Sequence, residues 1–226
     1  MQFESRKKAG HRLGQELLHY RGQEALVVGL ARGGVPVAFE VAEMLGAPID
    51  VWVARKCAAP GLREVGMAAI AEGPAFEVNR QVVERLQLSA RDVSDTLLRE
   101  ADQIDRRARR LRAGRTPPDV RGRIVILVDD GIASGATARA AIKALHTRGA
   151  RRLVLAVPVA PPAVIERLRP LVDEVICLAQ PVEFTTIAAS YDDFHTVSDA
   201  EVMDLLELAS VRLGVARSPL TLPPSS

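Results

Sequence analysis

Apolar residues fall along this chain in short dense runs separated by stretches of helical spacing. "ALVVGL" (25–30) is one such run, ended by "ARGG". The segment after it, "VPVAFEVAEMLG", sets Val37, Val41 and Leu45 four residues apart, with Gly46 as a stop. "IDVWVARK" (49–56) predicts a second strand and "VILV" (125–128) a third. Gly131–Thr137 lead into "TARAAIKALHTRG", where Ala138, Ala141, Ile142 and Leu145 share a helical face closed by Gly149. "RLVLAVPVA" (152–160) and "DEVICLA" (173–179) predict the fourth and fifth strands, and Pro161 and Pro162 open the helix between them. Near-continuous apolar runs alternating with helices mean strands buried on both faces. The pattern predicts an α/β fold: an open, doubly wound, mostly parallel sheet with helices on both faces. Ligands of such folds bind at the carboxyl ends of the strands.

Residues 57–120 interrupt the alternation. "CAAPGLREVGMAAIAEGPAFEVNR" predicts a long loop, with 57–66 as a lid, followed by a hairpin. "LSARDVSDTLLREADQIDRRARRLRAG" predicts one long helix capped by Ser89, with Val93, Leu97, Ala101, Ile104, Ala108 and Leu111 as its apolar stripe. "VSDAEVMDLLELASVRL" closes the patterned region, with Ser198 and Glu201 as a capping box. Residues 1–215 are expected to form one domain, and 216–226 a disordered tail.

Length and composition fit that scheme: 226 residues, 48% of them hydrophobic, suffice for one sizeable core. A net charge of +2 is too small to demand a polyanionic partner. Cys57 and Cys177 make no CxxC pair, and four scattered histidines make no zinc pattern. The N-terminus "MQFESRKKAGHRLGQ" lacks the apolar stretch of a signal peptide. No apolar run reaches the roughly 18 residues of a membrane span. A cytoplasmic protein with no membrane partner is expected.

The chemistry concentrates in "LVDDGIASGAT" (127–137). A small-residue turn between strand and helix aims backbone N–H groups at one point, where the helix dipole adds about half a positive charge. Ser134 and Thr137 can add hydroxyl donors. The lysine of a Walker A loop is missing, and so is GxGxxG. Asp129 and Asp130 would repel a phosphate placed on them. They suit its neighbours instead: sugar hydroxyls or a hydrated Mg²⁺. An acidic pocket of the receiver type would want the pair after the first strand and a lysine on the last, and "DEVICLA" has none.

"VILVDDGIASGAT" resembles the binding motif for phosphoribosyl pyrophosphate (PRPP) of the type I phosphoribosyltransferases: four apolar residues, two acids, then a small-residue loop ending in Thr or Ser. Gly131 departs from it, standing where many members carry an aliphatic residue. The resemblance implies the type I fold, with an inserted hairpin and helix and a small C-terminal hood. It implies that Ala133, Ser134, Gly135, Ala136 and Thr137 hold the 5-phosphate. Asp129 and Asp130 would hold the ribose hydroxyls, and Mg²⁺ indirectly. "ARGGV" stands where the family has its pyrophosphate loop, so Arg32, Gly33 and Gly34 would bind diphosphate together with Arg55 and Lys56. Asp129, Asp130, Arg32 and Lys56 would carry catalysis, and Asp130→Asn is expected to lower turnover far more than stability. Arg63 could reach inward from the lid.

Phe184, Tyr191 and Phe194 are candidates for stacking an acceptor ring, or else a small satellite core. The partners implied are PRPP, an unidentified small-molecule acceptor and a second copy of the chain. Arg106, Arg107, Arg109, Arg110 and Arg112 are read as a solvated helix end rather than a nucleic-acid face. The alternatives in function are a PRPP-sensing nucleic-acid regulator and a hydrolase or phosphorylase of phosphoribosyl compounds.

Overall fold

The computed structural model describes residues 2–73 and 75–212, and at Arg63 the backbone alone. In chain order its first elements are α1 (Arg6–Glu16), β1 (Leu26–Leu30), α2 (Gly34–Leu45) and β2 (Ile49–Trp52). Then come β3 (Ala54–Ala59), β4 (Leu62–Ala71), β5 (Ala75–Val78), α3 (Arg80–Arg85) and α4 (Ala90–Leu111). The remainder is β6 (Ile124–Val128), α5 (Ala136–Thr147), β7 (Arg152–Val159), α6 (Pro162–Leu168), β8 (Glu174–Ala179) and α7 (Asp199–Arg212).

Five strands form a parallel sheet in the order β2-β1-β6-β7-β8. Every residue of β1 and β6 is buried, as their unbroken apolar runs require. Strand alternation sends Val27, Ile126 and Val154 to one face, where they pack with Leu13 and Leu17 of the α1 region and Val37 and Val41 of α2. It sends Val28, Leu127 and Leu155 to the other, against Ile142 and Leu145 of α5 and Ile165 of α6. The chain winds outward from β1 to β2, then restarts beside β1 at β6 and winds the other way. That reversal leaves a crevice at the carboxyl ends of β1 and β6.

β3, β4 and β5 form a second, antiparallel sheet that shares a core with α4 and α7. The expected stripe of α4 faces it: Ile104, Ala108 and Leu111 are buried there, with Val93, Leu97 and Ala101 partly so. Ser89 caps α4 and Asp92 completes the box. Gly46 ends α2 at φ +61°, a conformation glycine adopts without penalty.

Two expectations fail here. Residues 49–56 are not one strand: β2 stays in the parallel sheet, and after Val53 the chain enters the second sheet as β3. Glu72 holds the break, its N–H donating to the Val53 carbonyl (2.9 Å) and its carboxylate accepting from the Val53 N–H (3.4 Å). Nor is 57–66 an open loop: it is the end of β3, a tight turn at Pro60 and Gly61 and the start of β4, with register shifts on both sides of Ala58. The expected reach of the Arg63 side chain and the tail 216–226 lie outside the described residues, as does the end of the 1–215 domain. No described helix is long and apolar enough to cross a membrane.

Candidate functional site

The crevice is built around the two aspartates that follow β6. Gly33 and Gly34, at the start of α2, press directly on them. A methyl at Gly33 would lie 2.6 Å from Asp130 Cγ. One at Gly34 would lie 2.5 Å from the Val128 carbonyl oxygen and 2.8 Å from Asp129 Cα. The glycine pair is therefore set by close approach of the β1 loop to the acid pair, not by a left-handed turn. The peptide between Ala31 and Arg32 is cis.

The two carboxylates differ. Asp130 is buried, and Arg6 of α1 donates from Nε to its Oδ2 (2.8 Å). Asp129 is half-buried, and its Oδ1 accepts from the Asp130 N–H (2.9 Å). Burial first, and the Asp130 charge second, push the Asp129 carboxyl well above the usual carboxylate range. Burial also raises Asp130, opposed by its hydrogen bond from Arg6. Two carboxylates raised this way form a site that favours a positive charge beside it.

Arg6 is the participant that the sequence reading passed over. Its Nη1 donates to the His195 carbonyl (2.8 Å), and its guanidinium lies 3.8 Å from the centre of the Phe194 ring. The legible signal was helical spacing: Arg6, Ala9, Gly10, Leu13 and Gly14 are the buried residues of α1, behind the cap Ser5.

The three hood aromatics do share one cluster with Phe3. Tyr191, however, is buried, with ring centres 5.5 Å from Phe3 and 5.2 Å from Phe194. Its hydroxyl donates to the Asp130 carbonyl (2.5 Å). Its ring faces are thus taken by Phe3 and Phe194, so Tyr191 supports the acid loop and is not an open stacking surface. Phe194 carries Arg6 on its face, and Phe184 packs at the edge of the cluster.

The expected phosphate loop lies where predicted, between β6 and α5. Gly135 is the N-cap of α5 at φ +79° and gives no side-chain cap, so the first-turn N–H groups of α5 remain open to an anion. Ala133 and Ser134 are exposed, and Ala136 and Thr137 half-buried. Ser134, Ala136 and Lys56 line one cavity of about 870 Å³, with Arg80, Arg139 and Arg167 further round it.

Arg55 and Lys56 do not act as a pair at the core sheet's edge. As neighbours on β3 they point to opposite faces of the second sheet. Lys56 meets the phosphate-loop cavity, whereas Arg55 pairs with Glu100 (3.0 Å) and Gln103 (2.9 Å) of α4. Arg32 turns the same way as Arg55 and reaches Asp199 at 3.8 Å.

The basic end of α4 is not simply solvated. Arg107 (2.7 Å) and Arg110 both clasp Asp199. Arg112 is buried between Asp50 (2.7 Å) and Glu72 (2.6 Å), tying α4 to both sheets.

No group of three or more metal-ligating side chains exists among the described residues. Asp129 and Asp130 alone fit a cation that keeps waters and takes its other ligands from a substrate's phosphates, as Mg²⁺ does.

A family model described as "Phosphoribosyl transferase domain" matches residues 3–193, a span that begins ahead of Arg6. A Mycobacterium tuberculosis H37Rv protein, "Putative phosphoribosyl transferase Rv0571c", is 42% identical over 207 residues, which is 92% of this chain and 47% of that protein. Its counterpart in strain CDC 1551 matches equally. The chain thus spans about half the length of the curated relatives it matches. Among solved structures, TT1426 from Thermus thermophilus is similar, with TM-score 0.77 and 38% identity over 91% of this chain and 98% of that one.

Proposed function

This chain belongs to the phosphoribosyl transferase domain family, and we propose that it binds PRPP with Mg²⁺ and transfers the 5-phosphoribosyl group to a nitrogen acceptor in the cytoplasm. The observation that carries this reading is the contact of Gly33 and Gly34 with Asp130 and Asp129, beside the uncapped N-terminus of α5. On this reading the diphosphate loop, the sugar-binding acid pair and the phosphate cradle share a single crevice.

In the reaction, a bond forms from the acceptor nitrogen to C1 of the ribose as the C1–O bond to diphosphate breaks. Open amides of 133–137, with the Ser134 and Thr137 hydroxyls, hold the 5-phosphate. Asp129 takes the ribose hydroxyls, and the acid pair's field favours the cationic sugar of the transition state. Asp130, locked by Arg6, positions Asp129 through the shared backbone and adds its charge. Arg32 and the backbone at Gly33 and Gly34 face the leaving diphosphate, with Lys56 on the far side near the phosphate loop. Asp129 and Asp130 would hold Mg²⁺ through water or ribose hydroxyls, and the ion would supply charge neutralisation for the diphosphate.

The test is PRPP-dependent release of pyrophosphate across a panel of purines, pyrimidines and pyridines. One acceptor should give a phosphoribosyl product in step with pyrophosphate. Release with water alone, yielding ribose 5-phosphate, would make the protein a hydrolase instead.

A further inference from the structure

Direct displacement brings the acceptor nitrogen to C1 from the side opposite the departing diphosphate. The diphosphate loop follows β1, and in the order β2-β1-β6-β7-β8 the strands on the other side of β6 are β7 and β8. The acceptor therefore approaches over the carboxyl ends of β7 and β8, where residues 180–194 fold back onto the acid loop. Gly131, the residue after the acid pair, is buried there, and Ile187 fills the space its side chain would take. A methyl at 131 would lie 2.7 Å from Ile187 Cγ2 and 3.0 Å from Val159 Cγ1. The Ile132 N–H ties the same loop to β7, donating to the Val159 carbonyl (2.9 Å).

Ile187 sits on a firmly held turn. The Ser190 N–H donates to the Ile187 carbonyl (3.0 Å), and the Thr186 hydroxyl accepts from the Ala189 N–H (3.2 Å). The Phe3 N–H donates to the Ser190 carbonyl and the Asp192 N–H to the Phe3 carbonyl, both at 2.9 Å. The Tyr191 hydroxyl binds the Asp130 carbonyl (2.5 Å). The turn cannot retreat from the acid loop by the thickness of a ring without breaking these bonds. Tyr191 packs on Phe3 and Phe194, and Phe194 carries Arg6. Among the described residues, Phe184 is the hood ring with no ring or guanidinium partner, and it is half-buried.

We propose that Ile187 sets the size of the acceptor, admitting a single nitrogen-containing ring and excluding the two fused rings of a purine. This inference rests on the transfer reading above. One free aromatic surface, Phe184, suits one stacked ring. A second fused ring would need the space against Gly131 that Ile187 already occupies. The exclusion is steric, so it acts on every purine regardless of its substituents.

The experiment compares PRPP-dependent transfer by the full chain to uracil and nicotinic acid with transfer to adenine and hypoxanthine, reading the phosphoribosyl product by mass. Wild type should favour one of the one-ring probes over both purines by roughly a hundredfold in kcat/KM. Ile187→Ala should narrow that ratio by about tenfold, chiefly through gained purine transfer, and Ile187→Val should fall between. Partial unfolding lowers both rates alike and leaves the ratio unchanged. Combining Gly131→Ala with Ile187→Ala should cost less stability than the two changes summed. Simple additivity would place Ile187 away from Gly131 and overturn the proposal. An equal ratio in wild type and Ile187→Ala overturns it too. Wild-type transfer to a purine overturns the ring-size limit and leaves the transferase reading standing. A PRPP thermal shift with transfer to none of the four probes overturns the limit and leaves PRPP binding in place. Neither shift nor product removes the transferase reading and this inference with it.

Discussion

Arg6 and Asp130, 124 positions apart in the sequence, meet across 2.8 Å with both side chains almost fully buried. The N-terminal helix thereby fixes one of the two acids that line the crevice. A buried pair of this kind is costly to break from one side, because the remaining charge has no partner. Arg6→Met should lower unfolding free energy by about 3 kcal/mol in urea titrations. Asp130→Asn should also destabilise, which narrows the gap expected between its effects on turnover and on stability. The double variant should recover part of the loss. An unchanged urea midpoint in Arg6→Met would contradict the pairing.

Gly33 and Gly34 are contact glycines, and their alanine variants separate two kinds of neighbour. Gly34→Ala meets backbone at Val128 and Asp129, which cannot move without shifting β6. It should cost about 1–3 kcal/mol and abolish PRPP binding. Gly33→Ala meets a side-chain carboxylate held by Arg6, so combining it with Asp130→Gly should relieve the clash and restore stability toward that of Asp130→Gly alone. Melting curves of the three variants check this order.

Arg112 stands between Asp50 and Glu72 at the join of the two sheets. Arg112→Met leaves the buried Glu72 and the half-buried Asp50 without their guanidinium and should cost about 3–5 kcal/mol. Glu72 and Asp50 would then take up protons on folding, so the variant should be least impaired in acid. Urea titrations at pH 5 and pH 8 read that difference.

Burial pushes the thiols of Cys57 and Cys177 up to about 11. Near neutral pH the native thiolate population is then about 100-fold below that of an ordinary thiol. Iodoacetamide should label native protein that much more slowly than urea-unfolded protein. The folded state holds the thiol protons more tightly than the unfolded state, so these groups lose their stabilising contribution as pH rises from about 9 toward 11. Fast labelling of native protein at pH 7 would contradict the burial.

The parallel sheet, its helices and the acid-glycine loop were legible because each is encoded locally, by an apolar run, a periodic face or a turn. Long-range contacts were not. Residues 49–56 look like one strand because both halves carry the same apolar pattern, and the break at Val53 is imposed by Glu72, distant in sequence. Arg6 looked like one more polar residue near the N-terminus, since its partner lies far along the chain. Tyr191 fitted either a stacking surface or a satellite core, because nothing nearby in sequence revealed Phe3 beside it. The arginines of α4 looked solvated because Asp199, Asp50 and Glu72 reach them only in the fold.

The most direct test is the thermal stability of wild type and Asp129→Asn with PRPP and Mg²⁺. At a hundredfold excess over Kd, a native-state ligand adds about 2.7 kcal/mol, or roughly 5–10 °C for a chain of this size. The Asp129→Asn substitution keeps an oxygen able to accept from the Asp130 N–H and removes only the charge, so the variant without ligand should melt close to wild type. The account predicts a wild-type shift of that size, with most of it lost in Asp129→Asn. No shift at millimolar PRPP and Mg²⁺, or an equal shift in both proteins, would contradict it.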